Sequence, residues 1–541
     1  MRVLIFNAVF CLILTSFLYS ADNITFLDVT LPKETTIPNF TSSCIKCHKT
    51  ITALDKTHNF KCIKCHNGNN KTENKSKAHF NLINNPSDLK VVSEKCGKCH
   101  EKDIQSVKKS LMATANGIIN TTRFLWGEQS SPKKHFSVYN LPKKTLVDDF
   151  LRKVCLRCHI NTKGSKRFGE IRSSGCATCH VPYKNNGEHL HIFTKSIQTA
   201  QCLHCHNFNR VGMDYVGYFE HDYSRTYRSP IYRGGFPPKI YGIYQHRLEE
   251  DIHFKKGMTC MSCHSKEEVM GNGKEYNFKF QQVKVRCVKC HKNYNKQSVS
   301  HRLHKTLECY SCHASWGFQD YGLNVIREDF IGYYKWKFLK DTNVPDTQEI
   351  LSESLGNYGE LAKLKAGVKN FSDKLRSPES TDYLTGDKTL GVWYIGWIYR
   401  RWADPVLGIN ERGKISPVRP DYQFYVSYTD KNFNVKINNK RMKFNWNPYV
   451  PHTISKYGRS CYSCHGNIKS LGLGYGMLAD NGTVLNMFEP WRDNLKIRFP
   501  LEKIVDKTGK IFQGFIYPDS KPLSKTLLKK SLKPFFKKKM E

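Results

Sequence analysis

Hydrophobic and polar positions alternate regularly in only part of this 541-residue chain. Residues 420–446 read PDYQFYVSYTDKNFNVKINNKRMKFNW, and their alternation around polar turn clusters predicts a β-hairpin or meander. Residues 348–371 read QEILSESLGNYGELAKLKAGVKNF and predict an amphipathic helix, and an aromatic run, GVWYIGWIYRRW, lies between the two. Two later stretches, MLADNGTVLN and VDKTGKIFQGFIY, place Asn-Gly and Thr-Gly turn signals between strand-like runs.

The N-terminus has the pattern of a secretory signal peptide. In residues 1–21, Arg2 precedes an apolar run that ends at Leu18, and small residues follow at Ser20 and Ala21. The run is short for a membrane span, and no later stretch approaches about 18 consecutive apolar residues. The protein is therefore predicted to be periplasmic or otherwise exported, after cleavage near Ala21.

The cysteines follow one pattern. The pentapeptide C-x-x-C-H occurs ten times and uses twenty of the twenty-one cysteines. Disulfide frameworks do not require a histidine after every second cysteine, and cysteines this close together make poor loop-closing cross-links. Zinc sites with paired C-x-x-C knuckles place the histidine elsewhere, and a thioredoxin-type motif would normally occur once.

C-x-x-C-H is the attachment signature of haem c, in which two thiols add to the porphyrin vinyl groups and the histidine binds the iron. The ten motifs therefore predict about ten covalently attached haem c groups. The cysteines predicted to attach haem are Cys44, Cys47, Cys62, Cys65, Cys96, Cys99, Cys155, Cys158, Cys176, Cys179, Cys202, Cys205, Cys260, Cys263, Cys287, Cys290, Cys309, Cys312, Cys461 and Cys464. The motif histidines predicted to bind iron are His48, His66, His100, His159, His180, His206, His264, His291, His313 and His465.

Motifs such as CIKCH, CGKCH and CATCH, in this number and spacing, make the chain similar to multihaem c-type cytochromes, specifically decahaem ones. The stretches HFKKGMTCMSCHSKEEVMGNG and HTISKYGRSCYSCHGNIKSLGLG resemble parts of large respiratory multihaem cytochromes. Octahaem reductases and hydroxylamine-oxidising cytochromes are more distant in resemblance. The lysine-for-histidine motif found at the active haem of many nitrite and tetrathionate reductases is absent, which weakens an enzymatic interpretation without excluding it.

The motifs form three triplets and a singleton. About one haem per 30 residues between 44 and 313 leaves too little protein to enclose each haem separately, so the haems must pack against one another. The expected fold is a mostly α-helical and irregular, haem-packed cytochrome with little regular secondary structure, plus a partly β haem-free insertion and C-terminal segment. The predicted divisions are a signal peptide (1–21), an N-terminal region with six haems (22–206), a second region with three (207–313), a mixed α/β insertion (314–457), and the tenth haem site with β-hairpins and a basic tail (458–541). A haem held at the isolated tenth motif is expected at an end of the haem chain, as an entry, exit or substrate terminal; if it lies in the middle, the long insertion only returns the chain to the core.

Hexacoordinate haems also need distal ligands, and twelve histidines remain outside the motif positions. The distal candidates are His58, His79, His135, His189, His191, His221, His246, His253, His301, His304 and His452. Four of these, His58, His253, His304 and His452, precede a motif by a few residues, where such a histidine often ligates a different haem. His204, inside CLHCH, is the weakest candidate.

The formal net charge is +38. Part of the lysine and arginine excess is explained by neutralisation of haem propionates, and the rest favours an acidic redox partner, an anionic substrate or an anionic membrane surface. Partners are expected among other cytochromes or a quinol-side donor, and nucleic acid is not expected in this compartment. The tail SKPLSKTLLKKSLKPFFKKKM offers a peripheral membrane contact, unless it is a solvated end.

Two functions remain open. The favoured one is an electron carrier in respiration, which requires no catalytic residue. The alternative is a terminal oxidoreductase that acts on a small nitrogen or sulfur oxyanion at one five-coordinate haem. Its candidate residues are His221, Arg225, Arg228 and Arg233, which could equally hold haem propionates.

Overall fold

A computed structural model describes the part of the chain that carries all ten motifs. The described residues are 42–51, 55–133, 136–162, 165–167, 170–172, 174–183, 190–207, 211–220, 239–240, 243–294, 296–328, 379–402, 406–421, 423–429, 435–438, 445–467, 470–471, 476–478, 484–486, 521–524, 526–527 and 530–531.

Short helices and tight turns make up the regions around the motifs. The α-helices are α1 (Ser43–Cys47), α2 (Cys62–His66), α3 (Lys75–Ala78), α4 (Val92–Lys109), α5 (Leu111–Thr114), α6 (Asn116–Leu125), α7 (Leu146–Lys153), α8 (Ala177–His180), α9 (Thr199–Leu203), α10 (Ile252–Lys255), α11 (Lys266–Met270), α12 (Lys279–Gln282), α13 (Val299–Leu303), α14 (Cys309–His313) and α15 (Tyr462–His465). Single 3-10 turns span Lys56–His58, Cys155–Cys158, Cys260–Ser262 and Cys287–Lys289.

Helix α7 shows how sequence fixes these short elements. Thr145 and Asp148 form a capping box, in which the Thr145 hydroxyl accepts the Asp148 N–H and the Asp148 carboxylate accepts the Thr145 N–H. Arg152 and Lys153 occupy the last turn, where positive charge complements the helix dipole. The helix therefore has a defined start and a favourable end despite its length of 8 residues.

One apolar core joins helices α6 and α7 to a strand of the insertion. Phe150 stacks on Trp126 with ring centroids 5.3 Å apart, and Trp393 meets the two rings edge-on at 5.2 and 6.0 Å. All three side chains are buried. The indole N–H of Trp393 donates to the Asp149 carboxylate at 2.7 Å, so the polar atom of this buried ring is satisfied.

The strands lie mostly in and after the insertion. They are β1 (Ser165–Arg167), β2 (Glu170–Arg172), β3 (Tyr218–Glu220), β4 (Lys239–Ile240), β5 (Ile243–Arg247), β6 (Gly317–Glu328), β7 (Glu379–Thr381), β8 (Lys388–Leu390), β9 (Val392–Trp402), β10 (Leu407–Ile409), β11 (Ile415–Asp421), β12 (Gln423–Thr429), β13 (Val435–Asn438), β14 (Asn445–Pro448), β15 (Gly476–Leu478), β16 (Val484–Asn486) and β17 (Lys521–Pro522). One four-stranded sheet has the order β13-β12-β6-β9, and another has the order β14-β11-β10-β17.

Within residues 420–446, strand β12 pairs antiparallel with β13, as the alternation predicts, and it also pairs parallel with β6. The stretch MLADNGTVLN contributes β15 and β16, which pair antiparallel on either side of the Asn-Gly signal. The predicted helix at 348–371 and the predicted hairpin at 505–517 lie outside the described residues. The signal peptide at 1–21 lies outside them too.

The insertion packs directly against the ninth motif. The Glu308 amide donates to the Ile415 carbonyl at 2.9 Å, and the Ile415 amide donates to the Thr306 carbonyl at 3.0 Å. After the motif, the Ser315 amide donates to the Thr453 carbonyl at 2.8 Å. Backbone hydrogen bonds therefore join strand β11, well inside the insertion, to the segment just before this motif, and join the two ends of the insertion to each other just after it.

Candidate functional site

The motifs fold into helical turns. In the first, fifth, sixth, seventh, eighth and tenth motifs, the histidine amide donates to the carbonyl of the first cysteine at 2.7–3.0 Å. The second, third and ninth motifs lie within helices α2, α4 and α14. Because positions three and four apart share a face of a helical turn, the two thiols and the imidazole of one motif lie on the same side.

The motif cysteines are free thiols. None of the twenty is joined in a disulfide. Among the described residues, no group of three or more histidine, cysteine, aspartate or glutamate side chains is arranged to hold a bare metal ion. The local geometry therefore lacks the four-ligand cluster that a structural zinc site needs.

Among the described side chains, six motif histidines face a histidine from outside the motifs. The ring centroids of these pairs are 5.9–6.4 Å apart, with interplanar angles of 12–66°. The pairs are His48–His79, His100–His58, His66–His191, His291–His253, His313–His301 and His465–His304. Two metal–nitrogen bonds of about 2.0 Å to opposed imidazoles place ring centroids about 6 Å apart. The spacing would fit an iron between the two rings of each pair, and such an iron would allow a range of interplanar angles because each ring could rotate about its metal–nitrogen bond.

Three of the four histidines that precede a motif do not face the histidine of that motif but the histidine of the next one. His58 precedes the second motif but faces His100 of the third. His253 and His304 precede the seventh and ninth motifs but face histidines of the eighth and tenth. These histidines from outside the motifs therefore lie against segments that are distant from them in sequence.

Hydrogen bonds at Nδ1 fix the orientation of many of these rings. Backbone carbonyls lie 2.7–3.3 Å from Nδ1 in five cases, which are His66 with Ile83, His180 with Thr194, His304 with Ser300, His313 with Ser455 and His465 with Ser531. A carbonyl oxygen only accepts, so Nδ1 must carry the proton and Nε2 keeps its lone pair. That tautomer is the one a metal-binding histidine needs.

Carboxylates hold three further histidines in the same way. Nδ1 lies 2.8 Å from Asp55 in His58, 2.8 Å from Asp251 in His253 and 3.2 Å from Glu268 in His264. The hydrogen bond to Asp251 raises the pKa of His253. Sequence inspection did not single out these acids, although each lies two to four residues from its histidine.

The thiols of neighbouring motifs form a row. Burial raises the pKa of several of these thiols. A thiolate in a neighbouring motif raises the pKa further in five cases, which are Cys62 beside Cys44, Cys96 beside Cys65, Cys176 beside Cys96, Cys263 beside Cys290 and Cys312 beside Cys461. Direct hydrogen-bond contact is the main cause of the raised pKa of Cys202 beside Cys260 and of Cys287 beside Cys309. Cys202 also lies beside Cys179. These interactions, three of them hydrogen bonds and the others charge effects, link the motifs in the order one, two, three, five, six, seven, eight, nine, ten.

A single cavity of about 3220 Å³ follows this row. Cysteines of the second to the ninth motifs line it. Large apolar side chains left exposed beside the motifs include Phe60, Phe80, Leu82, Val288, Val299, Leu303, Tyr457 and Tyr462. A bulky apolar group held at the motifs would fill such a cavity and cover side chains of this kind.

The fourth pre-motif histidine, His452, lies beside the sixth and seventh motifs. Burial lowers its pKa to about 4, and the nearby rings of His264 and His206 contribute to the shift. Its amide donates to the carboxylate of Asp214 at 3.1 Å, and burial raises the pKa of Asp214 to about 7. His452 thus reaches motifs that it does not precede.

The fourth motif departs from the others. The His159 amide donates to the carbonyl of Leu156, three residues back, at 3.1 Å. In the six motifs named above, the histidine amide instead bonds to the first cysteine, four residues back. Nδ1 of His159 accepts the amide of Asn161 at 3.1 Å, whereas Nδ1 in the rings above faces an acceptor. Nε2 is buried without a hydrogen-bond partner. Burial lowers the pKa of His159 to about 4, and an interaction with the Ala113 backbone opposes this shift.

The remaining predicted residues divide in two. His135, His189, His221, Arg225, Arg228 and Arg233 lie outside the described residues, and His246 is described only as backbone of β5. His204 is buried and meets the Tyr183 ring edge-on with centroids 4.3 Å apart.

No family model, no curated protein and no solved structure matches this chain. Among the described residues, no helix has the length and apolar character needed to cross a membrane.

Proposed function

We propose that this protein is an exported decahaem c-type cytochrome that carries electrons along a row of closely packed haem c groups in respiratory electron transfer. The observation that carries the proposal is the set of six pairs that join a motif histidine to a second histidine with centroids 5.9–6.4 Å apart. Disulfide chemistry gives no reason for paired imidazoles, and a tetrahedral zinc site of two cysteines and two histidines does not hold its imidazoles on opposite sides of the metal. Haem c, when attached there, supplies a reversible one-electron couple.

The chain's own residues favour a carrier over an enzyme at the six paired sites. If haem c were attached at these motifs, the two histidines of each pair could both bind its iron and would leave no position there for a substrate. Carbonyls and carboxylates at Nδ1 hold several of these rings in place, which limits rearrangement when the charge of the site changes.

The order of the interactions between motif cysteines supports a linear path with the first and tenth motifs at its ends. The Arg459 amide, just before the tenth motif, donates to the Cys312 carbonyl of the ninth at 2.9 Å, and the histidine facing His465 is His304, the residue directly after helix α13. We propose that electrons enter or leave at these ends. The strongly basic chain favours an acidic partner, such as another cytochrome or a quinol-side donor.

The test begins with haem content. The protein is produced in a host that attaches haem c and is purified by a tag, and its haem is counted by the pyridine haemochrome method. We expect ten haems per chain and a predominance of low-spin ferric signals by EPR. A chain that carries no covalent haem, or mostly high-spin haem, contradicts the proposal.

A pair of variants then tests the ligand assignment. His304→Gln removes the ring facing His465 and is expected to turn one low-spin haem high-spin while the haem count stays at ten. The matched control is His204→Gln, because His204 is a buried histidine whose described ring contact is with Tyr183. It is expected to leave the spin state unchanged. An unchanged EPR spectrum in His304→Gln rules out this ligand pair.

A further inference from the structure

The facing histidines His304 and His465 are held in place by parts of the chain that carry no motif. We propose that the β10–β11 hairpin of the insertion and the segment after β17 form one frame that orients these two rings, and that the backbone carbonyl of Ser531 is the positioning group of His465. This inference rests on the proposed function, because it assigns to these parts the positioning of haem ligands at one end of the row.

One edge of the hairpin holds the chain next to His304. The Ile415 amide, at the start of β11, donates to the Thr306 carbonyl at 3.0 Å, and the Glu308 amide donates to the Ile415 carbonyl at 2.9 Å. Leu307 forms a parallel bridge with Ile415. These bonds begin two residues after His304, so they fix the backbone that follows this ring.

The turn of the hairpin strengthens this hold. Arg412 donates to one oxygen of the Glu308 carboxylate from Nε at 3.0 Å and from Nη2 at 2.6 Å, and the Asn410 side-chain amide donates to the same oxygen at 3.1 Å. Glu308 is buried, and a buried carboxylate is costly unless it has such donors. The turn between β10 and β11 is therefore tied to the residue just before the ninth motif.

The other edge of the hairpin carries strand β17. The two strands pair antiparallel, with Gly408 of β10 opposite Pro522 and Ile409 opposite Lys521. Strand β10 in turn pairs with β11 through Ile409 and Ile415. The same hairpin thus holds the chain next to His304 on one edge and the chain from residue 521 onwards on the other.

An apolar cluster joins the segment after β17 to the tenth motif. Leu527 and Cys464, the second cysteine of that motif, both pack against this cluster. Because burial of apolar surface favours keeping these groups together, the cluster holds the segment at the motif. The buried members of the cluster come from the hairpin, from the stretch after the tenth motif and from the segment itself, and they are Leu407, Ile409, Leu471 and Leu523.

A backbone carbonyl of this segment contacts the motif ring directly. The Ser531 carbonyl oxygen lies 2.7 Å from His465 Nδ1, and because a carbonyl only accepts, Nδ1 carries the proton and Nε2 keeps its lone pair. By contrast, Nδ1 of His304 faces the Ser300 carbonyl of its own helix α13 at 2.8 Å. The orientation of His465 therefore depends on a segment 66 residues away, whereas that of His304 is set locally.

The frame gives the insertion and the segment after β17 a role at one end of the row. The group that accepts from Nδ1 sets both the orientation of a metal-binding histidine and its strength as an electron donor. Ser531 therefore tunes His465, and the hairpin keeps His304 opposite it, with ring centroids 5.9 Å apart.

The test uses the haem-loaded protein and disturbs the segment without changing a motif residue or a histidine. Leu527→Asp places a carboxylate against the apolar cluster and should release the segment, whereas Leu527→Met keeps the packing. We expect ten haems in both variants. In a potentiometric titration, Leu527→Asp alone should move one of the ten components to a higher reduction potential, because His465 loses its acceptor and becomes a weaker donor.

Two further measurements locate the effect. Hydrogen–deuterium exchange with mass spectrometry should show faster exchange of peptides that span residues 521–531 in Leu527→Asp, and the component that moves should be the one altered in His304→Gln. The matched control is Lys530→Gln, which makes the same change in net charge at an exposed position of the same segment. It should leave both the potentials and the exchange unchanged.

The outcomes separate the positioning role from the proposed function. Ten haems with ten unchanged components in Leu527→Asp overturn the positioning role and leave the carrier function intact, and so does an equal shift in Lys530→Gln, which would assign the effect to charge. A count of nine haems in Leu527→Asp would assign the segment to haem attachment and also overturn it. A wild-type chain without covalent haem overturns the carrier function itself. If Leu527→Asp does not fold, the same titration of Leu527→Ala, which only opens space beside the cluster, decides between these outcomes.

Discussion

The segments that carry the motifs and the strands of the insertion are stabilised by different means. Between residues 42 and 313, opposed histidines and free thiols surround a cavity of about 3220 Å³, with short helices between them. The insertion has hydrogen-bonded sheets, and Trp393 of β9 fills the core shared with helices α6 and α7. The first region encloses a large cavity that we propose is filled by a group the chain does not itself provide, haem c, while the second region fills its own core.

The largest effect is expected on removing that group. If the chain is produced without haem attachment, backbone amides around the motifs should exchange with solvent quickly, while amides of β6 and β9 stay protected by their sheet. The reason is that the motif segments lose the apolar volume against which they pack, whereas the paired strands keep their hydrogen bonds. Hydrogen–deuterium exchange with mass spectrometry, run on loaded and unloaded chains, makes the comparison. Equal protection of the motif segments in both forms would contradict the prediction that these segments depend on attached haem.

The next effect tests the core that joins the two regions. Trp393→Ala removes a buried ring that contacts Phe150 and Trp126, and we expect a loss of about 3–5 kcal/mol in the free energy of unfolding. Thermal unfolding of the loaded protein measures it. Trp393→Phe keeps ring contact but loses the hydrogen bond to Asp149, so it should cost only about 1 kcal/mol. Equal losses in the two variants would show that the hydrogen bond, and not the ring, stabilises this junction.

A buried ion pair also joins the regions and should respond to pH. Burial alone would raise the pKa of Asp382, but the hydrogen bond and charge of Arg152, with help from Lys143, lower it below the ordinary value. A depressed folded pKa stabilises the protein above the unfolded pKa of about 3.9, and this contribution is lost as pH falls through the folded value.

Asp382→Asn should therefore cost about 3 kcal/mol at pH 7, because it leaves Arg152 buried without its partner, and the difference from wild type should shrink below about pH 4. Denaturant unfolding at several pH values measures it. The control is Asp387→Asn, an exposed acid in the same turn, which should change stability little at any pH. A cost that stays constant down to acid pH would rule out ionisation of Asp382 as its cause.

The sequence identifies the individual histidines of each pair, but it does not predict which histidine faces which. His58, His253 and His304 stand out because they precede motifs, yet each faces a motif further along the chain. Spacing along the chain carries no information on which segments pack together, so the partners depend on the tertiary fold. His79 and His191 illustrate the same limit, because they face motifs that precede them in the sequence.

Two other features, the displaced histidine of the fourth motif and the parallel pairing of β12, could not be predicted from the sequence. CLRCH looks like every other motif, and the departure of His159 arises from a 3-10 turn and an amide two residues later. The strand alternation at 420–446 predicts strands there, but the parallel pairing of β12 with β6 joins residues about a hundred positions apart, which local periodicity does not encode.

The smallest effect on stability is expected where a carboxylate tunes a histidine without joining the two regions. Asp55 accepts from His58 Nδ1 at 2.8 Å, and it also accepts the amides of Thr57 and His58. Asp55→Asn keeps a group that can accept these hydrogen bonds but removes the negative charge, so folding and haem count should change little. The ring of His58 becomes a weaker electron donor, and the haem held between His58 and His100 should shift to a higher reduction potential. Potentiometric titration of haem-loaded wild type and variant measures the shift of one component among ten.

The control is Glu73→Gln, which removes an equal charge from an exposed pair with Lys46 and should leave every reduction potential unchanged. If both variants shift the same component equally, the effect is long-range charge and not the contact at Nδ1.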